Sequence, residues 1–130
     1  MKKILIVDDE PDIVDYLEMI LRDNGFETDT AVNGNEALEK VRETRPDLVT
    51  LDISMPEASG TRFYKEVKTD PDLSGIPIFI VTGVTGLGGD RHAYEKFLSH
   101  RRLVPAPEGY FPKPIDREAF IKAVKEQLAT

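Results

Sequence analysis

The feature that most restricts how this sequence can fold is a rhythm. A short apolar run is followed by a segment with helical periodicity, and the alternation repeats five times along the chain. Ile4 to Val7 is the first run, halted by Asp8, Asp9 and Glu10; four consecutive apolar residues suit a strand buried on both faces. Pro11 fits the first turn of a helix. Ile13, Val14, Leu17, Ile20 and Leu21 then form one apolar stripe, with Asp15, Glu18 and Arg22 on other faces. Asn24-Gly25 supplies the left-handed stop.

Phe26 to Val32 is more polar and reads as a strand near a sheet edge. Asn33-Gly34-Asn35 turns into a second helix with Ala37, Leu38 and Val41 inward, stopped before Pro46. Leu48, Val49 and Leu51 form a third strand, which Pro56 cannot continue because it lacks an N–H. Phe63, Tyr64 and Val67 mark a third helix ended by Asp70-Pro71. Ile76 to Val81 is a buried run closing on Thr82-Gly83. Tyr110-Phe111 is a short fifth strand, and Phe120, Ile121, Val124 and Leu128 give a last helix capped by Asp116. Such alternation predicts an α/β fold with a parallel sheet, helices on both faces and right-handed crossovers. The stretch from Val84 to Glu108 is the least regular: Asp90 to His100 fits a helical period through Ala93, Tyr94, Phe97 and Leu98, and an extended loop follows.

Composition removes several classes. At 130 residues the chain reads as a single domain, 1–130, able to close a core without staples. It has no cysteine, which excludes disulfides, thiolate metal sites and thiol catalysis. The amino-terminal apolar run is too short for a signal peptide, and no segment approaches the roughly 20 apolar residues of a membrane helix. A cytoplasmic protein is the plain expectation. The net charge of −7 argues against non-specific nucleic-acid binding and suggests a clustered acidic site.

In parallel sheets of this kind, ligands bind outside the carboxyl ends of the strands, where strand order reverses. Those ends deliver Asp8 and Asp9 from strand one, Asp52 from strand three and Thr82 from strand four, and strand five leads to Lys113. Each has an ordinary role open to it: Asp52 as a loop cap, Asp8-Asp9 as acids at a helix start, Thr82 as a turn hydroxyl, Lys113 as a solvated lysine. Together they suit one chemistry. Crowded carboxylates repel and favour a divalent, oxygen-loving cation such as Mg²⁺, which also accepts phosphate oxygens. A carboxylate can attack phosphorus to form an acyl phosphate, and an aspartate needs no general base because it is ionised at neutral pH. Lysine and a hydroxyl then share the charge of the equatorial oxygens.

These residues resemble the receiver domain of two-component response regulators. The resemblance runs from Val7-Asp8-Asp9 through Asp52-Ile-Ser-Met-Pro, Gly60, Val81-Thr82-Gly83 and Tyr110-Phe-Pro-Lys113-Pro114 to the last helix. It implies a doubly wound, flavodoxin-like (βα)5 fold with strand order 2-1-3-4-5, of the stand-alone chemotaxis- or sporulation-regulator type. It implies Asp52 as phosphoacceptor, Asp9 as a direct Mg²⁺ ligand, Asp8 acting more often through water, and the Ser54 carbonyl completing the protein ligands. Lys113 would pair with the phosphoryl group and precede a cis bond to Pro114. Thr82 and Tyr110 would form the switch, while Ser54 and Val84 would tune autodephosphorylation, with Val84 giving slow to moderate loss of phosphate.

The implied partners are a sensor histidine kinase or a His phosphotransfer protein, and a downstream protein target. With no DNA-binding or enzymatic module after the last helix, output would pass through protein contact. The alternative is a receiver-shaped interaction module that phosphorylation does not regulate. An aspartyl-nucleophile phosphatase of the haloacid-dehalogenase type is disfavoured, because Ser54 stands where the second acid would be.

The departure from the family lies between Thr82 and Lys113, which stand 31 positions apart, further than a receiver needs. It holds Gly83, Gly86, Gly88 and Gly89, then Arg91, His92, Lys96, His100, Arg101 and Arg102. No Gly-Lys-Ser/Thr makes this a phosphate loop. A solvated cationic helix and a partner-docking patch are its two readings.

Overall fold

The computed structural model describes residues 1–52, 59–83 and 107–129. Their elements are β1 (Lys3–Val7), α1 (Pro11–Asp23), β2 (Glu27–Ala31), α2 (Gly34–Thr44), β3 (Leu48–Leu51), α3 (Ser59–Thr69), β4 (Ile78–Gly83), β5 (Gly109–Lys113) and α4 (Arg117–Leu128). All strand pairings are parallel, in the order β2-β1-β3-β4-β5. This is the expected flavodoxin-like α/β sheet.

Why β1, β3 and β4 are apolar along their length follows from the two-residue period of a strand. Leu5 and Val7 join Val49, Leu51, Ile78 and Ile80 in a core shared with Ala37, Leu38 and Val41 of α2 and Phe63, Tyr64 and Val67 of α3. Ile4 and Ile6 point the other way, with Leu48, Phe79 and Val81, against Leu17, Ile20 and Leu21 of α1 and Phe120, Ile121 and Val124 of α4. Both faces are therefore covered, and no position of a central strand can be polar without a special reason. Thr50 in the middle of β3 is one exception: it is 1% exposed, and its Oγ1 has no hydrogen-bond partner.

The helix boundaries obey their local chemistry. Pro11 opens α1, and Gly25 follows its end at φ 88°. Asn33 caps α2 by accepting from the Glu36 N–H at 2.8 Å, and Asp116 caps α4 by accepting from the Ala119 N–H at 3.1 Å. Helix α2 ends on Arg45 in the left-handed region, φ 45°, one residue before Pro46.

Two strands differ from the sequence expectation. β4 starts at Ile78 rather than Ile76 and takes in Thr82 and Gly83, which pair with Pro112 and Lys113. β5 is accordingly longer than Tyr110-Phe111 and includes Lys113 itself. Pro112 masks this in the sequence, but β5 is an edge strand, where a missing N–H is tolerated. β2, read as polar and peripheral, is the opposite edge. The helix expected over Asp90 to His100, and the basic residues Arg101 and Arg102, lie outside the described residues.

At the far end of the sheet from the strand carboxyl termini, Glu108 ties three elements together. Its carboxylate accepts from Lys68 Nζ of α3 at 2.7 and 2.9 Å and from the Ile78 N–H of β4 at 2.7 Å, while its own N–H donates to the Ile78 carbonyl. The Lys68 side chain is 2% exposed, so this ion pair sits at the edge of the core.

Candidate functional site

The sheet order puts the reversal point between β1 and β3, since β1 leads outward to β2 and β3 leads the other way to β4. Val7 is in register with Leu51, so the next residue of each strand, Asp8 and Asp52, emerges side by side. Ladder hydrogen bonds hold both backbones: Asp8 N–H donates to the Ala31 carbonyl at 3.0 Å, and Asp52 N–H to the Val7 carbonyl at 2.9 Å. Their carboxylates are 2% and 1% exposed. Lys113, at the end of β5, reaches across to them from a side chain that is 10% exposed.

The Lys113 ammonium is 3.0 Å from Asp8 Oδ2, 3.1 Å from Glu10 Oε1 and 3.4 Å from Asp52 Oδ2. Asp8 Oδ1 also accepts from the Glu10 N–H at 2.9 Å, which fixes the first turn of α1 against the site. Asp8 thus fills the ordinary helix-start role and the site role at once. Oxygens of Asp8, Asp9, Glu10 and Asp52 all lie within 4.8 Å of one another, with Asp9 and Glu10 exposed at the rim.

The electrostatics follow from burial and crowding. Burial, then repulsion from Asp52, pushes the Asp8 carboxyl up to about 6, against the lowering effect of the Glu10 N–H and Lys113. Burial disfavours the Lys113 ammonium, yet the charges of Asp52 and Asp8 and their hydrogen bonds outweigh it and hold this proton more tightly than usual. The crevice therefore carries four carboxylates against one ammonium among the described residues.

Such a donor set is all oxygen, which selects hard divalent cations. Metal–oxygen bonds of about 2.1 Å span about 4.2 Å between opposite ligands. One oxygen from each of the four acids lies within 4.8 Å of the others, close enough for a single ion to draw on several of them. A cation here relieves the repulsion that raises Asp8.

Of the remaining residues singled out in the sequence, Thr82 is placed by its backbone, paired with Pro112 one residue before Lys113 enters the ladder. Tyr110 is half-buried on β5 and packs against the core on the α2 and α3 side. The Lys113–Pro114 peptide is cis. Ser54 and Val84 lie outside the described residues, as does the Met55-Pro56 turn. Glu10 was not foreseen as part of the site. The only signal was its place as the third consecutive acid, which the sequence equally allows as the plain end of a strand.

Comparison with known proteins agrees with this geometry. The sequence matches the family described as Response regulator receiver domain over residues 4–125. It is 34% identical over 128 residues to Protein Rrf1 of Nitratidesulfovibrio vulgaris, covering 98% of this chain and 83% of that one. It is 33% identical over 127 residues to the polar-differentiation response regulator DivK of Brucella anthropi, covering 98% and 96%. Among solved structures, the chemotaxis response regulator CheY4 of Vibrio cholerae superimposes with a TM-score of 0.77 at 27% identity, covering 98% of this chain and 99% of that one. No helix among the described residues is long and apolar enough to cross a membrane.

Proposed function

This chain belongs to the response regulator receiver domain family, and from that premise we propose that Asp52 accepts a phosphoryl group from a phosphohistidine on a sensor histidine kinase or a phosphotransfer protein. The observation that carries the reading is the buried Asp52 carboxylate at the reversal point of the sheet, with the Lys113 ammonium 3.4 Å away and Asp8 and Asp9 beside it.

In this reaction an Asp52 oxygen bonds to phosphorus as the phosphorus–nitrogen bond of the donor breaks, and the departing imidazole keeps the electron pair and takes up a proton. Lys113 supplies N–H donors and positive charge to the phosphoryl oxygens as they arrive. Burial of Asp52 fixes the attacking oxygen against rotation and keeps bulk water from the acyl phosphate. Thr82, one residue past buried Val81, is the hydroxyl proposed to donate to a phosphoryl oxygen.

Asp8, Asp9, Asp52 and the Ser54 carbonyl would hold Mg²⁺. When bound, it neutralises the crowded carboxylates and the phosphoryl charge. We propose that Thr82 and Tyr110 carry the change to the surface as the two-state element, and that Ser54 and Val84 set the lifetime of the phosphate, with Val84 giving a slow to moderate loss. Output then passes to a downstream protein target, in the cytoplasm, from a chain acting as one domain. The absence of cysteine fits a reducing compartment.

The test is to incubate the protein with Mg²⁺ and acetyl phosphate and follow intact mass. One added phosphoryl group is expected in the wild type and none in Asp52→Asn. Undiminished labelling of the variant would move the nucleophile elsewhere. No labelling of either protein would favour the receiver-shaped interaction module.

A further inference from the structure

Lys113 Nζ has three carboxylate partners, and the proposed phosphoryl transfer gives work to two of them. Asp52 takes the phosphoryl group and Asp8 belongs with the cation. Glu10, whose carboxylate stands 3.1 Å from the ammonium, has neither role. Its backbone is pinned into the site by the N–H donated to Asp8 Oδ1, so the side chain starts from a fixed point at the head of α1. That side chain is 58% exposed, in contrast to Asp8 and Asp52, and so stands at the solvent side of the crevice.

We propose that Glu10 is a positioning residue that holds the Lys113 ammonium at the mouth of the crevice and competes with incoming phosphoryl oxygens for it. The inference rests on Asp52 being the phosphoacceptor. An ammonium has three N–H donors, and here three carboxylates face it, at 3.0, 3.1 and 3.4 Å. A phosphoryl oxygen needs one of those donors, so one carboxylate must give way. Asp8 is buried and tied to the Glu10 N–H, so it has no water to turn to when it releases the ammonium. Glu10 is exposed and is solvated as soon as it lets go, so it yields first. Its charge at the mouth also repels an anionic phosphodonor. Both effects slow phosphorylation.

Because the Glu10 carboxylate is exposed, its influence is modest: about two- to five-fold, the range of a solvent-screened ion pair. The side chain of Glu10 makes no cap hydrogen bond to α1, so its replacement leaves the helix start intact.

The experiment follows the initial rate of labelling by acetyl phosphate with the full chain, at sub-saturating donor and saturating Mg²⁺. Glu10→Gln is expected to label about two- to five-fold faster than wild type at low salt, and the advantage should shrink toward unity in molar salt. Glu10→Asp keeps the charge and shortens the reach to Lys113, and should fall between the two. Equal rates for Glu10→Gln and wild type at low salt would overturn the proposal. So would a several-fold rise in the Mg²⁺ concentration that Glu10→Gln needs for half-maximal labelling, because Glu10 would then be a cation ligand. Asp52→Asn runs alongside: labelling of that variant strikes the nucleophile assignment itself, whereas a silent Asp52→Asn with unchanged Glu10→Gln strikes only the role of Glu10.

Discussion

Asp8 and Lys113 meet at 3.0 Å although they stand 105 residues apart in the chain, and the contact supplies a cation to two buried carboxylates packed side by side. Without the ammonium, Asp8 and Asp52 would face each other in a region from which water is largely excluded. The contact is thus a structural tie between the ends of β1 and β5 as well as part of the proposed chemistry.

Lys113→Met tests that tie. It removes the cation and leaves the acids, a change that costs about 3–5 kcal/mol when one partner of a buried pair is lost. Urea denaturation in metal-free buffer should show the loss. Mg²⁺ should restore more stability to the variant than it adds to the wild type, since the cation replaces charge that the lysine no longer provides.

Asp8 makes metal-free stability depend on pH in an uncommon direction. Its carboxyl is held at about 6 in the folded protein against an ordinary value of 3.8, so between these values the folded state keeps a proton that the unfolded chain has released. The Asp8 contribution therefore falls as pH rises through this window, by about 3 kcal/mol in all. Lys113, raised above its ordinary 10.5, acts only in the alkaline range: its contribution is complete below that value and fades as pH climbs through the folded one. Asp8→Asn should be more stable than wild type at pH 7 and lose that advantage near pH 4. Thermal melts in EDTA across pH 4 to 7 read the difference; parallel curves would refute it.

Thr50 offers a gain without a functional cost. Its hydroxyl is buried on the α1 and α4 face of β3, between Ile6 and Phe79 in register, and has no partner. Thr50→Val keeps the shape and removes an unmet polar group, which should raise stability by about 1 kcal/mol. Chemical denaturation checks the gain, and acetyl phosphate labelling should proceed as in the wild type.

Glu108 is the counterpart at the opposite end of the sheet. Glu108→Ala leaves the Lys68 ammonium buried without its carboxylate and the Ile78 N–H without its side-chain acceptor. A loss of about 3 kcal/mol is expected. Adding Lys68→Met to the same protein should return much of it, because the stranded charge is then gone. Non-additivity in this pair of variants is the measurement that decides.

The sheet was legible because its signal is local and repeated. Ile4 to Val7 and Ile78 to Val81 are apolar at every position, which only a strand covered on both faces requires, and the helices between them carry one stripe each with recognisable ends at Gly25, Asn33 and Asp116. Asp8 and Asp52 were legible for a related reason, since each follows a buried strand directly, whereas Glu10, two residues further on, was not. The extent of β5 was not, because Pro112 reads as a breaker until the strand is known to be an edge. Gly109 shows why its start was also hidden. A side chain there would come within 3.0 Å of the Phe79 and Phe111 rings, a requirement set by residues far apart in sequence. Lys68 and Glu108 left no trace either: the first looks like a solvated cation in the last turn of α3, and its partner lies 40 residues on.

The reach from β1 to β5 also orders events during synthesis. A growing chain makes Asp8 first, Asp52 next and Lys113 only after nearly everything else, and β1 and β3 can pair as soon as both exist. That pairing brings the two acids together while their ammonium is still to be translated. In a chain that has made β1 and β3 but not β5, the two acids have no ammonium between them, and docking of the edge strand supplies it. Docking of β5 thus completes the sheet and brings Lys113 to the crevice in the same step.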